Sequence, residues 1–219
     1  MSLNFIFNHV YTIALAVWAG LFVLVAVRFV RPQWVKNISY GWLVVGMIFA
    51  HLFYGAFVTW GQYHVWATSS DYTMMLISAP LPAEAPLPSI LEWSRPYFAG
   101  PLGYFAYYAF GRIWLKIIEV FVVAGFFYAI FKTWSFYRGG FLPQGPEILL
   151  ALLLISGWSG ILVLVPLGFA LVFIFFGASL LKNKTREIKP VHIEPSFLVA
   201  TPVALVFGDM VINKLFHIL

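Results

Sequence analysis

The chain has 219 residues, of which 62% are hydrophobic, 20% aromatic and only 10% charged, with a formal charge of +5 and no cysteine. An ordinary soluble domain carries about 45–50% apolar and about 25% charged residues, so too few charges remain here to coat a globule in water, and the same composition excludes disorder. The absence of cysteine removes disulfides, thiolate metal sites, iron–sulfur clusters and cysteine nucleophiles together. The basic residues sit beside apolar runs, which is a membrane-topology pattern and excludes a nucleic-acid partner. The expectation is an all-α polytopic membrane helical bundle of roughly six spans at about 20 residues each.

The first apolar run, Phe5–Val27, is long enough to span and too long for a signal-peptide core. A basic turn with Arg28, Arg31 and Lys36 follows, and then a second run, Ile38–Trp60. The segment 61–103 differs from both. It holds Pro80, Pro82, Pro86, Pro88, Pro96 and Pro101, which forbid a regular helix over most of its length, and its apolar middle, Thr73–Ile77, reads as lying on the membrane surface.

A third run, Tyr104–Phe131, ends at Lys132 and Arg138. The region 148–181 is too long for one span, and Gly157, Gly160 and Pro166 near its middle predict a tight hairpin of two short helices, 148–163 and 165–181. The basic cluster Lys182, Lys184, Arg186 and Lys189 precedes a last run, Ser196–Phe216. Placing the basic turns inside gives six helices, both termini outside and the acidic, proline-rich loop 61–103 outside. The chain reads as a single membrane domain over 1–219, with the bacterial inner membrane as its location.

Eight carboxylates permit an exhaustive reading. Asp71, Glu84, Glu92, Glu187 and Glu194 read as solvated loop residues. Glu119 shares one helical face with Lys116 and Arg112 inside the third span, and a charge at bilayer depth must pair and face the bundle interior. The net-positive trio has no proton relay, so a structural clamp accounts for it better than a proton path. Glu147 opens the fourth helix, where exposed amides and the helix dipole suit a carboxylate. Asp209 lies towards the outer end of the last span, away from Glu147, so the two cannot form the acid–base pair that aspartyl catalysis needs. No catalytic residue and no metal site is expected. Among the histidines, His9 with His51 or His64 could hold haem b between facing helices, which makes haem or pigment the alternative cofactor reading to none.

Three segments carry a resemblance. They are Val27-Arg28-Phe29-Val30-Arg31-Pro32-Gln33-Trp34-Val35; Gly145-Pro146-Glu147-Ile148-Leu149-Leu150-Ala151-Leu152 running into Gly157-Trp158-Ser159-Gly160; and Ile193-Glu194-Pro195-Ser196-Phe197-Leu198 with Phe207-Gly208-Asp209. In this order they resemble the type IV prepilin peptidases, the small G-x-G-D membrane aspartyl proteases. The resemblance covers the helical core, with loop 61–103 as an addition. It implies two catalytic aspartates, and this chain has neither: their positions fall on Ala26, or Val25 with the gap placed differently, and on Pro146. The resulting expectation is a catalytically inactive relative serving as a structural or accessory subunit among other membrane proteins. The alternatives are a haem- or pigment-contacting anchor of a redox or photosynthetic complex, and a peptidase that uses Glu147.

Overall fold

A computed structural model describes residues 9–87, 89–138, 141–182 and 192–216. Among these the chain is helical, with no strand. The helices are α1 (Val10–Val30), α2 (Tyr40–Ser69), α3 (Asp71–Ser78), α4 (Gly103–Ala109), α5 (Leu115–Arg138), α6 (Gly145–Lys182) and α7 (Glu194–Phe216). A π-helical turn, Phe110–Trp114, joins α4 to α5, and a 3₁₀ segment covers Ser89–Phe98. Five helical segments are long and apolar enough to cross a bilayer: Val10–Val30, Tyr40–Ser69, Gly103–Tyr137, Gly145–Ser179 and Glu194–Val211. The protein is a multi-pass membrane protein. Residues 5–8 of the first expected span, Lys184, Arg186 and Lys189 of the basic cluster, and Glu187 lie outside the described residues.

His51–Ile118 belongs to one compact unit, and Thr12–Ala50 with the chain from Glu119 onward forms the other. In the first unit the expected loop 61–103 is largely helical, because α2 continues to Ser69 and α3 begins at once. Ser70 caps α3 by accepting from the Thr73 amide at 3.2 Å, and the Thr73 hydroxyl accepts from the Ser70 amide in return. The apolar stretch Thr73–Ile77 lies inside α3, with Ile77 buried against Phe105 and Ala109.

Prolines exclude further α-helix, and side chains tie down the backbone they leave unpaired. Arg95 donates to the carbonyls of Ala83 at 2.6 Å and Ala85 at 3.0 Å, and to Glu92 Oε1 at 2.5 Å. Tyr107 donates to the Pro86 carbonyl. An aromatic cluster closes the unit, with Trp66 4.8 Å from Tyr108 and 5.5 Å from Phe105 between ring centroids.

In the second unit a core of Val25, Met47, Ala124, Phe131, Phe197 and the first turns of α6 is excluded from solvent. The decisive feature is Gly157, at φ 69° and ψ −177°, a backbone region open almost only to glycine. The chain folds back there. Gly145 packs against the Glu194 carboxylate, and a β-carbon on Gly168 would stand 2.8 Å from the Phe197 ring. A straight helix would separate residues 145 and 168 by about 35 Å, whereas 194 and 197 lie within one turn. Between them, Ser159 and Gly160 meet Asp209 and Ala204 at the other end of α7. α6 therefore has a first arm of roughly 12 residues, about 18 Å long, and a second of roughly 25. The reversal comes earlier than the expected boundary near residue 164, because Gly157 can adopt the required φ and Pro166 stays inside the second arm.

Candidate functional site: the carboxylates of the helical bundle

The first arm of α6 starts at Gly145 with Pro146 buried in its first turn. Pro lacks the N–H that a first turn leaves unpaired in any case, so it fits there. Glu147 is next. Its Oε1 accepts from Lys132 Nζ at 2.6 Å and from the Tyr128 hydroxyl at 3.3 Å, both on α5. The carboxylate thus clamps α5 to the start of α6. Ala26 adjoins the buried Val25 on α1, and none of Val25, Ala26 and Pro146 can ionise.

Glu194 departs from expectation. It was expected in solvent, and it is fully buried at 0% exposure. It opens α7 and turns inward, where its Oε1 accepts the Leu142 amide at 2.7 Å. Glycine at 145 makes room for it, since a β-carbon there would collide with the same oxygen. The acid followed by Pro195 is a helix-start signal that could have revealed it, but the adjacent basic cluster favours a solvated reading. Its Oε2, with Ser196 Oγ and His192 Nδ1, is a buried atom without a hydrogen-bond partner among the described residues.

Asp209 lies near the far end of α7 and accepts a hydrogen bond from Ser159 Oγ, two residues past the reversal. Glu147 and Asp209 are therefore at opposite ends of the first arm, about 15 Å apart along it. No two of these three carboxylates share a partner. Glu147 is held by Lys132 and Tyr128, Glu194 by a backbone amide and Asp209 by a serine.

Arg112 and Lys116 are exposed and Glu119 is half-buried. The ion pairs among the described residues are Glu92–Arg95 and Lys132–Glu147, so the trio forms no internal clamp there. Helix length supplies the reason. Gly103–Tyr137 has 35 residues, about 52 Å of helix against a hydrocarbon core of about 30 Å. Its first turns reach beyond the hydrocarbon, and long basic side chains there can snorkel to the interface.

The histidines of the haem alternative lie on or beside the first two helices. His51 is buried on α2 at 6% exposure, His64 stacks on Trp60 at 6.2 Å, and His9 is exposed just ahead of α1. His51 and His64 lie about 20 Å apart along one helix, so either expected pairing needs His9 as the second ligand. No group of three or more His, Cys, Asp or Glu able to hold a metal is found among the described residues.

No family model, curated protein or solved structure matches this chain. The resemblance to the prepilin peptidases thus rests on the three segments that carry it.

Proposed function

We propose that this chain is a non-catalytic structural or accessory subunit of a larger assembly in the bacterial cytoplasmic membrane, built on a prepilin-peptidase-like pattern. The observation that carries this reading is the separate engagement of Glu147, Glu194 and Asp209. Aspartyl hydrolysis needs one carboxylate as base and a second as acid on the same water. Here each carboxylate fixes a helix end or a helix crossing. In this reading the basic turns at Arg28–Lys36 and Lys132–Arg138 face the cytoplasm and the Arg95-clamped segment faces outward. Exposed aromatics, among them Trp93 at 71% and Tyr97 at 77%, give that segment a surface suited to neighbouring subunits and headgroups.

The test is incubation with a prepilin-like substrate. The purified protein should leave the leader peptide attached. Cleavage that disappears in Glu147→Gln would instead establish a peptidase whose acid had moved by one residue.

A further inference from the structure

The chain between α2 and α4 is held at a definite height. The apolar course of α2 ends at Trp60, and Gly61-Gln62-Tyr63-His64 follow. Trp60 and Tyr63 are exposed, and exposed aromatics of this kind mark the boundary of a hydrocarbon core. Tyr63 and Trp66 pack on Phe105 of α4, at 5.4 and 5.5 Å between ring centroids. Ile77 of α3 is buried against Phe105 and Ala109. Phe98, at the end of the 3₁₀ segment, lies 5.9 Å from Tyr107 and 6.3 Å from Phe110. Both elements therefore lie beside residues 63–66 of α2, about 5–9 Å beyond Trp60. The headgroup layer on each side of the hydrocarbon is about 5–8 Å deep. The two heights coincide.

The distribution of side chains is a second, independent observation. Tyr72, Met74 and Met75 of α3 are exposed, as are Trp93 and Tyr97 of the 3₁₀ segment. Polar groups turn the other way. The Thr73 hydroxyl donates to the Trp66 carbonyl at 2.6 Å and the Ser78 hydroxyl to the Met74 carbonyl at 3.1 Å. Arg95 and Tyr107 take up the carbonyls of Ala83, Ala85 and Pro86. Water satisfies such groups unaided, whereas a layer of low polarity leaves them to be satisfied within the chain. Asp71 and Glu84 stay exposed, which suits the headgroup layer and not the hydrocarbon.

We propose that α3 and the 3₁₀ segment form an interfacial paddle in the headgroup layer of the leaflet at the Trp60 end of α2. Met74, Met75 and the rings of Tyr72, Trp93 and Tyr97 rest on the boundary between headgroups and acyl chains, where amphipathic aromatic rings are at home. The partner of this surface is lipid, continuous with the lipid around the spans that flank it. The contact expected of Thr73–Ile77 alone thus extends to the 3₁₀ segment, while Ile77 itself turns inward. Trp60 defines the leaflet, so the proposal is independent of the orientation and the subunit role given under Proposed function.

The chain has no cysteine, so single cysteines carry spin labels without background. Met75→Cys and Trp93→Cys are compared with Ala56→Cys on the exposed face of α2 and with Glu84→Cys. Each is measured in native membranes and, after purification, in phospholipid vesicles. Collision with oxygen, which concentrates in lipid, is set against collision with a nickel chelate, which stays in water. The oxygen-to-nickel ratio at both test positions should be several-fold above that of Glu84→Cys and below that of Ala56→Cys. A ratio equal to that of Glu84→Cys places the segment in water and overturns the proposal. Labels that meet neither reagent in native membranes, yet meet oxygen in vesicles of the purified protein, show a subunit on this surface and overturn it too. The unsubstituted chain gives a second measurement. A phosphatidylcholine with a diazirine at the headgroup end of one acyl chain should crosslink within Asp71–Ser78 and Ser89–Phe98, and crosslinks confined to the spans would contradict the proposal.

Discussion

A β-carbon on Gly208 would stand 2.8 Å from the Gly160 α-carbon and 2.9 Å from its nitrogen. The two helices cross here backbone to backbone, beside the Ser159–Asp209 hydrogen bond. Lipid tails are as apolar as the helix surfaces, so association in a membrane relies on such close packing between small residues. Gly208→Leu should therefore destabilise the protein by about 1–3 kcal/mol through overpacking. Gly177→Ala, with nothing within 4 Å, should stay within about 0.5 kcal/mol. Thermal unfolding in a single detergent compares the two.

Gly157 makes a sharper prediction. Its φ of 69° with ψ of −177° differs from the left-handed helical region that Asn tolerates. Both Gly157→Ala and Gly157→Asn should cost about 1–3 kcal/mol, with no rescue by Asn. If Asn restored stability, the reversal would have to use an ordinary left-handed turn.

Glu194 stabilises through one oxygen. Glu194→Gln keeps an acceptor for the Leu142 amide and should have little effect. Glu194→Ala leaves that N–H unpaired, with an expected loss of about 1–3 kcal/mol. Equal losses in both variants would mean that the charge matters and the hydrogen bond does not.

The proline-rich segment around Arg95 should respond to acid. The hydrogen bond from Arg95 holds the Glu92 carboxyl below the usual carboxylate range. A group whose folded pKa is depressed stabilises fully above its unfolded value, about 4.3 for Glu, and loses that contribution as pH falls through the folded value. Limited proteolysis between residues 79 and 98 should thus accelerate below about pH 4. Glu92→Gln should be cleaved faster at neutral pH and show a flatter acid response.

The apolar runs made most helices legible, since about 20 consecutive apolar residues have few other readings. The ends were less so. Trp60–Ser69 is too polar to register as a span, yet it continues α2 because its side chains pack on Phe105 and Tyr108. A hairpin in residues 148–181 was legible from length, and its turning point was not. Gly157, Gly160 and Pro166 are all breakers in a sequence, and only the close fit of Gly160 against Ala204 and Gly208 leaves Gly157 to turn. The burial of Glu194 was hidden for a related reason: its partner, a backbone amide 52 residues away, has no signature in sequence.

The most direct test of the central claim is the composition of the native particle. Membranes solubilised in mild detergent should yield this chain in fixed stoichiometry with other membrane proteins, as read by native mass analysis. Removing the chain should disperse that particle, and Glu147→Gln should restore it as fully as the unsubstituted chain does. A chain that migrates alone, and that cleaves a leader peptide only while Glu147 is present, would contradict the account.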